Sequence, residues 1–142
     1  MLHRLHWMTT QFADHLLQKE LGYGFAQFKI IKVIHYQDGT TGSLIAKHLN
    51  QTQASVSRQI DTLVKAGYIE RVENPENRRE HILALTTAGV EITKQAQDLL
   101  NTWSDKLFGQ LSPVERLTFA ELLAKVYDQA EIETKSISPQ QN

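Results

Sequence analysis

The middle of the chain shows hydrophobic patterns that change from helical to strand-like over a short stretch. A short helix is predicted from Gly42 to Leu49. Its apolar side consists of Leu44, Ile45, Ala46 and Leu49. A second helix is predicted from Gln53 to Ala66, because Thr52 is a favourable N-cap and Gly67 favours termination. Residues 50–51 form the predicted turn, which gives a helix-turn-helix.

The second predicted helix has two different faces. Its apolar residues repeat at helical spacing and form one stripe: Val56, Ile60, Leu63 and Val64. The opposite face carries small, polar and charged side chains: Ala54, Ser55, Arg58, Asp61, Thr62 and Lys65. A DNA-reading helix needs this arrangement, because its first turns approach base edges while its other side packs on the preceding helix. An ordinary surface helix shows a similar pattern, so the pattern of this helix alone does not establish DNA binding.

A β-hairpin is predicted directly after the second helix. Strand-like runs extend from Ile69 to Glu73 and from Glu80 to Thr86, and Pro75 prevents the first strand from continuing. The turn projects Arg78 and Arg79, which suit the minor groove or the flanking phosphates of a duplex. A solvated loop is the alternative for the turn alone, but helix, turn, helix and hairpin in this order favour a DNA-binding wing.

Long helices are predicted on both sides of this region. The segments before it carry apolar or packing residues at Leu5, Met8, Phe12 and Leu16, and then at Phe28, Ile31, Ile34 and His35. A third long helix is predicted after Thr87, to about Gln110, with Ile92, Ala96, Leu99, Trp103 and Leu107 in one stripe. Ser112, Pro113 and Glu115 predict a capping box that opens a last helix. The stripe of that last helix consists of Leu117, Ala120, Leu123, Ala124, Tyr127 and Ala130.

Three short motifs in this chain resemble one family. The motifs are Leu63-x-x-x-Gly67-Tyr68-Ile69-x-Arg71, then Asn74-Pro75-Glu76-Asn77-Arg78-Arg79, then Leu85-Thr86-x-x-Gly89. Together they look like the MarR family of bacterial transcriptional regulators, and the likeness covers nearly the whole chain. The family usually has aspartate at the positions of Asn74 and Asn77, and an asparagine at 77 cannot form a charged pair that orients Arg79.

The resemblance implies a mainly α fold with a small β-wing, in which a winged helix-turn-helix is flanked by N- and C-terminal dimerisation helices. A single regulator domain is expected over residues 1–133, with its DNA-binding part at about 38–87. The dimerisation helices are expected at about 2–20 and 88–131. Residues 134–142 are expected to form a flexible tail.

The function implied is that of a ligand-responsive repressor that binds an inverted-repeat operator in double-stranded DNA as a homodimer. The predicted DNA-binding residues are Gln53, Ala54, Ser55, Ser57, Arg58, Arg78 and Arg79. A small aromatic effector is expected where the first two helices meet the DNA-binding region. The candidate residues for that site are Trp7, Phe12, Ile31, His35 and Tyr36, each of which also fits an ordinary core position. A metal-sensing regulator of the same fold and a winged-helix module that binds protein remain the alternatives.

Composition narrows the mechanism further. A length of 142 residues with 41% hydrophobic side chains fits one folded domain. No run approaches the length of a membrane span and no signal-peptide pattern opens the chain, so a cytoplasmic protein is expected. The absence of cysteine excludes a thiol-based redox switch. The net charge of −1 is low for a nucleic-acid binder, so a few well-placed cations must make the contacts.

Sequence patterns give no support for an enzyme, a cofactor or a metal centre. The chain has no Gly-rich phosphate loop, no nucleophile elbow and no His-Glu-x-x-His motif. His3 and His6 lie three residues apart on a predicted helix, but the other four histidines show no accompanying ligand spacing. Solvated or packed histidines are therefore the better interpretation.

Overall fold

The computed structural model describes residues 1–37, 39–75, 77 and 80–137, with side chains to residue 134. In chain order the elements are α1 (Leu2–Leu21), α2 (Phe25–Tyr36), α3 (Gly42–His48), α4 (Gln53–Lys65), β1 (Ile69–Glu73), β2 (His81–Leu85), α5 (Thr87–Phe108) and α6 (Pro113–Ile137). The chain divides into two compact units, residues 1–101 and 102–142, and α5 contributes residues to each. This is the mainly α fold with a two-stranded wing that the sequence predicts.

The first unit has one hydrophobic core, to which each of its helices and both strands contribute. Its largest fully buried apolar side chains are Leu17, Ile30, Ile31, Ile45, Val56, Leu63 and Ile69. Helix α2 is central, because five of its twelve residues are buried. His35, which the helical spacing placed on the packed side, is exposed instead. The neighbouring residues Ile30 and Val33 are themselves buried. The buried face of α2 therefore points away from His35.

The helix-turn-helix forms close to the predicted bounds. Thr41 caps α3 by accepting a hydrogen bond from the Leu44 amide at 3.4 Å, and Thr52 caps α4 by accepting one from the Ser55 amide at 3.2 Å. In the turn between them, Asn50 has a φ of 51°, a left-handed conformation that asparagine tolerates. Gly67 follows α4 with a φ of 77° and terminates it as expected.

The hairpin is antiparallel, and its register runs from Ile69 opposite Leu85 to Glu73 opposite His81. The second strand is one residue shorter at each end than the sequence predicts. Residues 40–41 add backbone pairing to its outer edge: Leu83 donates to the carbonyl of Thr40 at 2.9 Å, and Thr41 forms a bridge with Ile82. The segment before α3 is therefore attached to the base of the wing.

Hydrogen bonds of Thr86 join the hairpin to the start of α5. The Thr86 amide donates to the carbonyl of Tyr68 at 3.1 Å, and the Thr86 hydroxyl donates to the carbonyl of Gly67 at 2.6 Å. The same hydroxyl accepts a hydrogen bond from the Gly89 amide at 3.0 Å. A Cβ at Gly89 would overlap the Tyr68 carbonyl oxygen, so this close approach requires glycine.

The outer helices leave large apolar side chains exposed. On α1 these include Leu5, Trp7, Met8 and Phe12, while Ala13 and Leu17 are the buried positions. The predicted α1 stripe therefore packs little within one chain. On α6 the exposed large apolar side chains include Val114, Leu117, Leu122, Leu123, Val126, Tyr127 and Ile132. These apolar side chains can be shielded from water only by contact with another surface.

The start of α6 agrees with the predicted capping box, but its end does not agree with the predicted tail. The Ser112 amide donates to Glu115 at 2.8 Å, and the Glu115 amide donates to the Ser112 hydroxyl at 3.3 Å. The helix continues to Ile137, so residues 134–137 are helical. The reason is that no glycine or proline interrupts the chain there. The Thr134 hydroxyl donates to the Ala130 carbonyl one turn earlier at 2.7 Å. The remainder of the predicted tail, 138–142, lies outside the described residues.

Candidate nucleic-acid interface

Helix α4 presents the predicted reading residues on one side because its other side is buried. Val56, Ile60 and Leu63 are at most 3% exposed, which fixes the rotation of the helix about its axis. The residues left facing solvent in the first two turns are Gln53, Ala54, Ser57 and Arg58. The arrangement matches the requirement that short side chains lie near the N-terminus and a long cation follows one turn later.

Ser55 differs from the other predicted reading residues because it is half-buried. The side-chain amide of Gln59 donates to the Ser55 hydroxyl at 3.2 Å and to the Gln51 side-chain oxygen at 3.3 Å. Gln59 therefore connects the turn to the first turn of α4. Gln59 was not predicted as a functional residue, although its spacing of four residues from Ser55 places the two side chains together on a helix.

Arg58 has its side chain available for a partner. Within the described part of the chain its guanidinium makes no hydrogen bond or ion pair, and its backbone carbonyl accepts the Thr62 hydroxyl at 3.0 Å. Asp61, which was predicted on the same solvent-exposed face, instead forms an ion pair with Arg71 of β1 at 2.5 Å. This pair connects α4 to the hairpin. No spacing rule predicts it, because the partners lie on different elements.

The tip of the wing is only partly within the described residues. The predicted anchors Arg78 and Arg79 lie outside them. On the described side of the loop, the Asn77 amide donates to the Asn74 carbonyl at 3.2 Å, and the Glu80 amide donates to the Asn77 carbonyl at 3.0 Å. These bonds connect the described residues at the root of the loop to one another.

Glu80 makes a side-chain contact that the sequence analysis missed. The Ser43 hydroxyl, in the first turn of α3, donates to the Glu80 carboxylate, and the Thr41 hydroxyl lies 3.1 Å from the Ser43 hydroxyl. Hydrogen bonds from Ser43 and Thr41 hold the pKa of the Glu80 carboxyl below its ordinary value. The carboxylate is therefore charged at neutral pH.

The five candidate effector residues lie in three different places. Ile31 is fully buried in the core, whereas Trp7 and Phe12 are 59% and 45% exposed on α1. His35 and Tyr36 line a cavity of about 330 Å³ between α2 and α5. All five were expected where the first two helices meet the DNA-binding region, but only the packing of α5 shows that His35 and Tyr36 face a common space.

Lys32 and Gln97 belong to the same α2–α5 cavity. The Lys32 ammonium donates to the Gln97 side-chain oxygen at 2.8 Å and to the Tyr36 hydroxyl at 3.0 Å, and it lies 4.6 Å from the centre of the Tyr36 ring. A larger cavity of about 490 Å³ lies among α3, α4 and the hairpin. Gln53, Ser57, Arg71 and Glu80 are among its lining residues.

Two other classes of site find no support in the part of the chain that the structure describes. That part contains no cluster of three or more histidine, aspartate or glutamate side chains arranged to hold a metal ion. Likewise, none of its helices combines the length and the apolarity that crossing a bilayer requires.

Comparison with known proteins identifies relatives of the same architecture. A family model described as "MarR family" matches residues 26–81. The chain is 33% identical over 129 residues to the multiple antibiotic resistance protein MarR of Escherichia coli K12, a match that covers 88% of this chain and 90% of the relative.

Solved structures extend the likeness to three dimensions. One described as the crystal structure of MarR superposes with a TM-score of 0.85 at 26% identity, covering 96% of this chain and 95% of the other. A mutant of Escherichia coli MarR complexed with operator DNA superposes with a TM-score of 0.71 at 32% identity, covering 88% and 92%.

Proposed function

The chain belongs to the MarR family of DNA-binding transcriptional regulators, which are not enzymes, and we propose that it is a ligand-responsive repressor that binds an inverted-repeat operator as a homodimer. The observation that carries the proposal is the exposed N-terminal face of α4, where Arg58 is held on a rigid helix without a protein partner among the described residues. The similar Escherichia coli protein, which was solved in complex with operator DNA, supports binding of DNA by this chain.

In this proposal α4 enters the major groove. Gln53, Ala54, Ser55 and Ser57 approach the base edges or adjacent phosphates, and Arg58 makes the strongest base contact, since a bidentate arginine suits guanine. Gln59 holds the Ser55 hydroxyl in place. The Asp61–Arg71 pair links the hairpin to α4, and both elements meet the duplex together.

The wing supplies the second contact, through Arg78 and Arg79 on phosphates or in the minor groove. Residues 41–87 carry six basic and five acidic side chains, a net charge of only +1. Removal of two of those cations should therefore weaken binding to many sequences alike. The Arg78→Ala/Arg79→Ala variant should reduce the slope of log affinity against log salt by about 0.9 for each phosphate that is no longer neutralised. A variant with the wild-type slope would exclude the wing from the interface.

Dimerisation accounts for the apolar side chains that the single chain leaves in water. Trp7 of α1 and Val126 and Tyr127 of α6 are each at least 59% exposed, although residues of these types are normally covered. A second copy would cover both faces and would give the two-fold symmetry that an inverted repeat requires. Sedimentation of the full chain at micromolar concentration should give a dimer, and a monomer would contradict this part of the proposal.

The proposed effector is a small aromatic carboxylic acid in the α2–α5 cavity. Lys32 offers an ammonium for the carboxylate, the Tyr36 ring offers a stacking surface, and His35 lies at the same cavity. An effector acts only through its different affinities for the DNA-competent and DNA-incompetent states. Coupling energies of ordinary size would weaken operator binding by roughly 5- to 150-fold.

The test is a titration of operator binding with a panel of benzoic and hydroxybenzoic acids, using the full chain. An active acid should lose its effect in the Lys32→Met variant and keep it in the control Lys29→Met, which alters the preceding turn of α2 outside this cavity. Peroxide should have no effect, because the chain has no cysteine. A response that survives Lys32→Met would place the effector elsewhere, and loss of binding on mild oxidation, reversed by thiol, would contradict the mechanism.

A further inference from the structure

The wing loop is anchored at its root by a side chain that base reading and phosphate binding do not require. Glu80 accepts a hydrogen bond from the Ser43 hydroxyl, and Ser43 is in turn hydrogen-bonded to Thr41, the N-cap of α3. The anchor thus connects the hairpin to the helix that packs behind the reading helix. We refer to Glu80, Ser43 and Thr41 as the wing clasp.

The position of the clasp along the hairpin determines what it can control. The last residue pair of the β-ladder is Glu73 with His81, and Glu80 is the next residue toward the tip. Below that point the hairpin is already fixed by the pairing of Ile82 with Thr41. Glu80 therefore adds one attachment beyond the end of the sheet, where the loop that carries the two arginines begins.

Electrostatics alone would disfavour an acidic residue at this position. Glu80 directly follows Arg78 and Arg79 in the sequence, and a carboxylate there reduces the positive charge that attracts phosphates. Charge-assisted hydrogen bonds from hydroxyl groups are short and strong. A charged carboxylate is consequently a better anchor for the loop than a neutral side chain, and this geometric role offsets its electrostatic disadvantage.

We propose that Glu80 is a positioning residue for DNA binding: through Ser43 it sets the direction in which the wing loop leaves the hairpin, so that the wing and α4 engage one duplex together. The inference rests on the proposed contact between the wing and DNA. It assigns no contact with DNA to Glu80 itself. Its effect on affinity must therefore depend on the presence of the wing arginines.

The experiment is a double-mutant cycle on operator affinity. Glu80→Ala and Ser43→Ala each remove the clasp and should weaken binding about fivefold, the factor that corresponds to one hydrogen bond of ordinary net strength. Both should also lower the salt slope. Glu80→Gln retains an acceptor for Ser43 and should restore most of the affinity. In the Arg78→Ala/Arg79→Ala background, Glu80→Ala should no longer weaken binding and should strengthen it only as far as Glu70→Ala does.

Glu70→Ala is the matched control, because it removes the same charge from an exposed position on β1 of the same hairpin. If Glu80→Ala strengthened binding as Glu70→Ala does, the Glu80 carboxylate would act only as a charge. That result would overturn the inference. A fivefold loss that persists without the wing arginines would overturn it too. An Arg78→Ala/Arg79→Ala variant that binds as the wild type would refute the proposed wing contact, whereas failure of the cycle alone would refute only the clasp.

Discussion

Arg58→Ala offers the sharpest perturbation of the proposed base reading. Arg58 is exposed in the second turn of α4, and its guanidinium has no partner among the described residues, so the change should alter folding stability by no more than about 0.5 kcal/mol. The expected loss is about 1 to 3 kcal/mol for each half-site. A homodimer makes this contact twice, and the two losses should add because the sites are far apart.

The summed loss of at least about 2 kcal/mol corresponds to a decrease in operator affinity of about 30-fold or more. The assay is a fluorescence titration of the full chain with the operator and with operators changed at each base pair in turn. The variant should lose discrimination at one position in each half-site and keep it elsewhere. Binding to an unrelated duplex should decrease much less, because that binding depends on phosphates.

Lys65→Ala provides the control, since it removes the same charge from the exposed last turn of α4. Lys65 lies about 10 Å farther along the helix axis than Arg58, given a rise of 1.5 Å per residue. That distance spans about three base pairs, so Lys65→Ala should not change discrimination at the same position. The assignment of Arg58 would be refuted if Arg58→Ala discriminated between operators as well as the wild type does. It would also be refuted if Lys65→Ala lost discrimination at the same base pair as Arg58→Ala.

Two further predictions concern stability. Gly89→Ala should destabilise the fold by about 1 to 3 kcal/mol in a urea titration, because the new Cβ would displace the Tyr68 carbonyl. Hydrogen bonds from Ser112 lower the pKa of Glu115, so the ionised carboxylate stabilises α6 at neutral pH, and this stabilisation is lost as pH falls below the ordinary glutamate value of 4.5. Ser112→Ala should therefore reduce the loss of helicity that circular dichroism detects on acidification.

Each stability prediction has a matched control. Gly42→Ala places a methyl group at an ordinary distance of 3.6 Å from Ile60, so it should be neutral or stabilising, and a loss as large as that of Gly89→Ala would remove the steric explanation. Glu121→Gln changes a carboxylate in the middle of α6, away from the capping box. If it reduced the acid sensitivity as much as Ser112→Ala, the capping box would not be the cause.

Local signals predicted the helix-turn-helix and the hairpin well. The cap at Thr52, the left-handed position at Gly67 and the apolar repeat of α4 are all encoded within a few residues. Such signals act before tertiary packing and therefore can be recognised in sequence. The same holds for the capping box at Ser112, whose two hydrogen bonds are present.

Contacts between elements were not predictable in the same way. The Asp61–Arg71 pair and the hydrogen bond between Ser43 and Glu80 join residues that come together only when the hairpin packs beside the helices. The exposure of His35 likewise depends on how α2 is rotated in the core. Helical periodicity predicted an apolar stripe on α1, but the residues of α1 that are buried in this chain are Ala13 and Leu17, because periodicity cannot show which face of a helix packs on the core.

In the proposed function, two copies of this chain read an inverted repeat in DNA. Selection of bound sequences from a pool of random duplexes, using the full chain at physiological salt, tests it most directly. We expect one enriched motif with two-fold symmetry, whose half-site centres lie about 10 base pairs apart. Enrichment of an unrepeated motif, or of no motif, would contradict it.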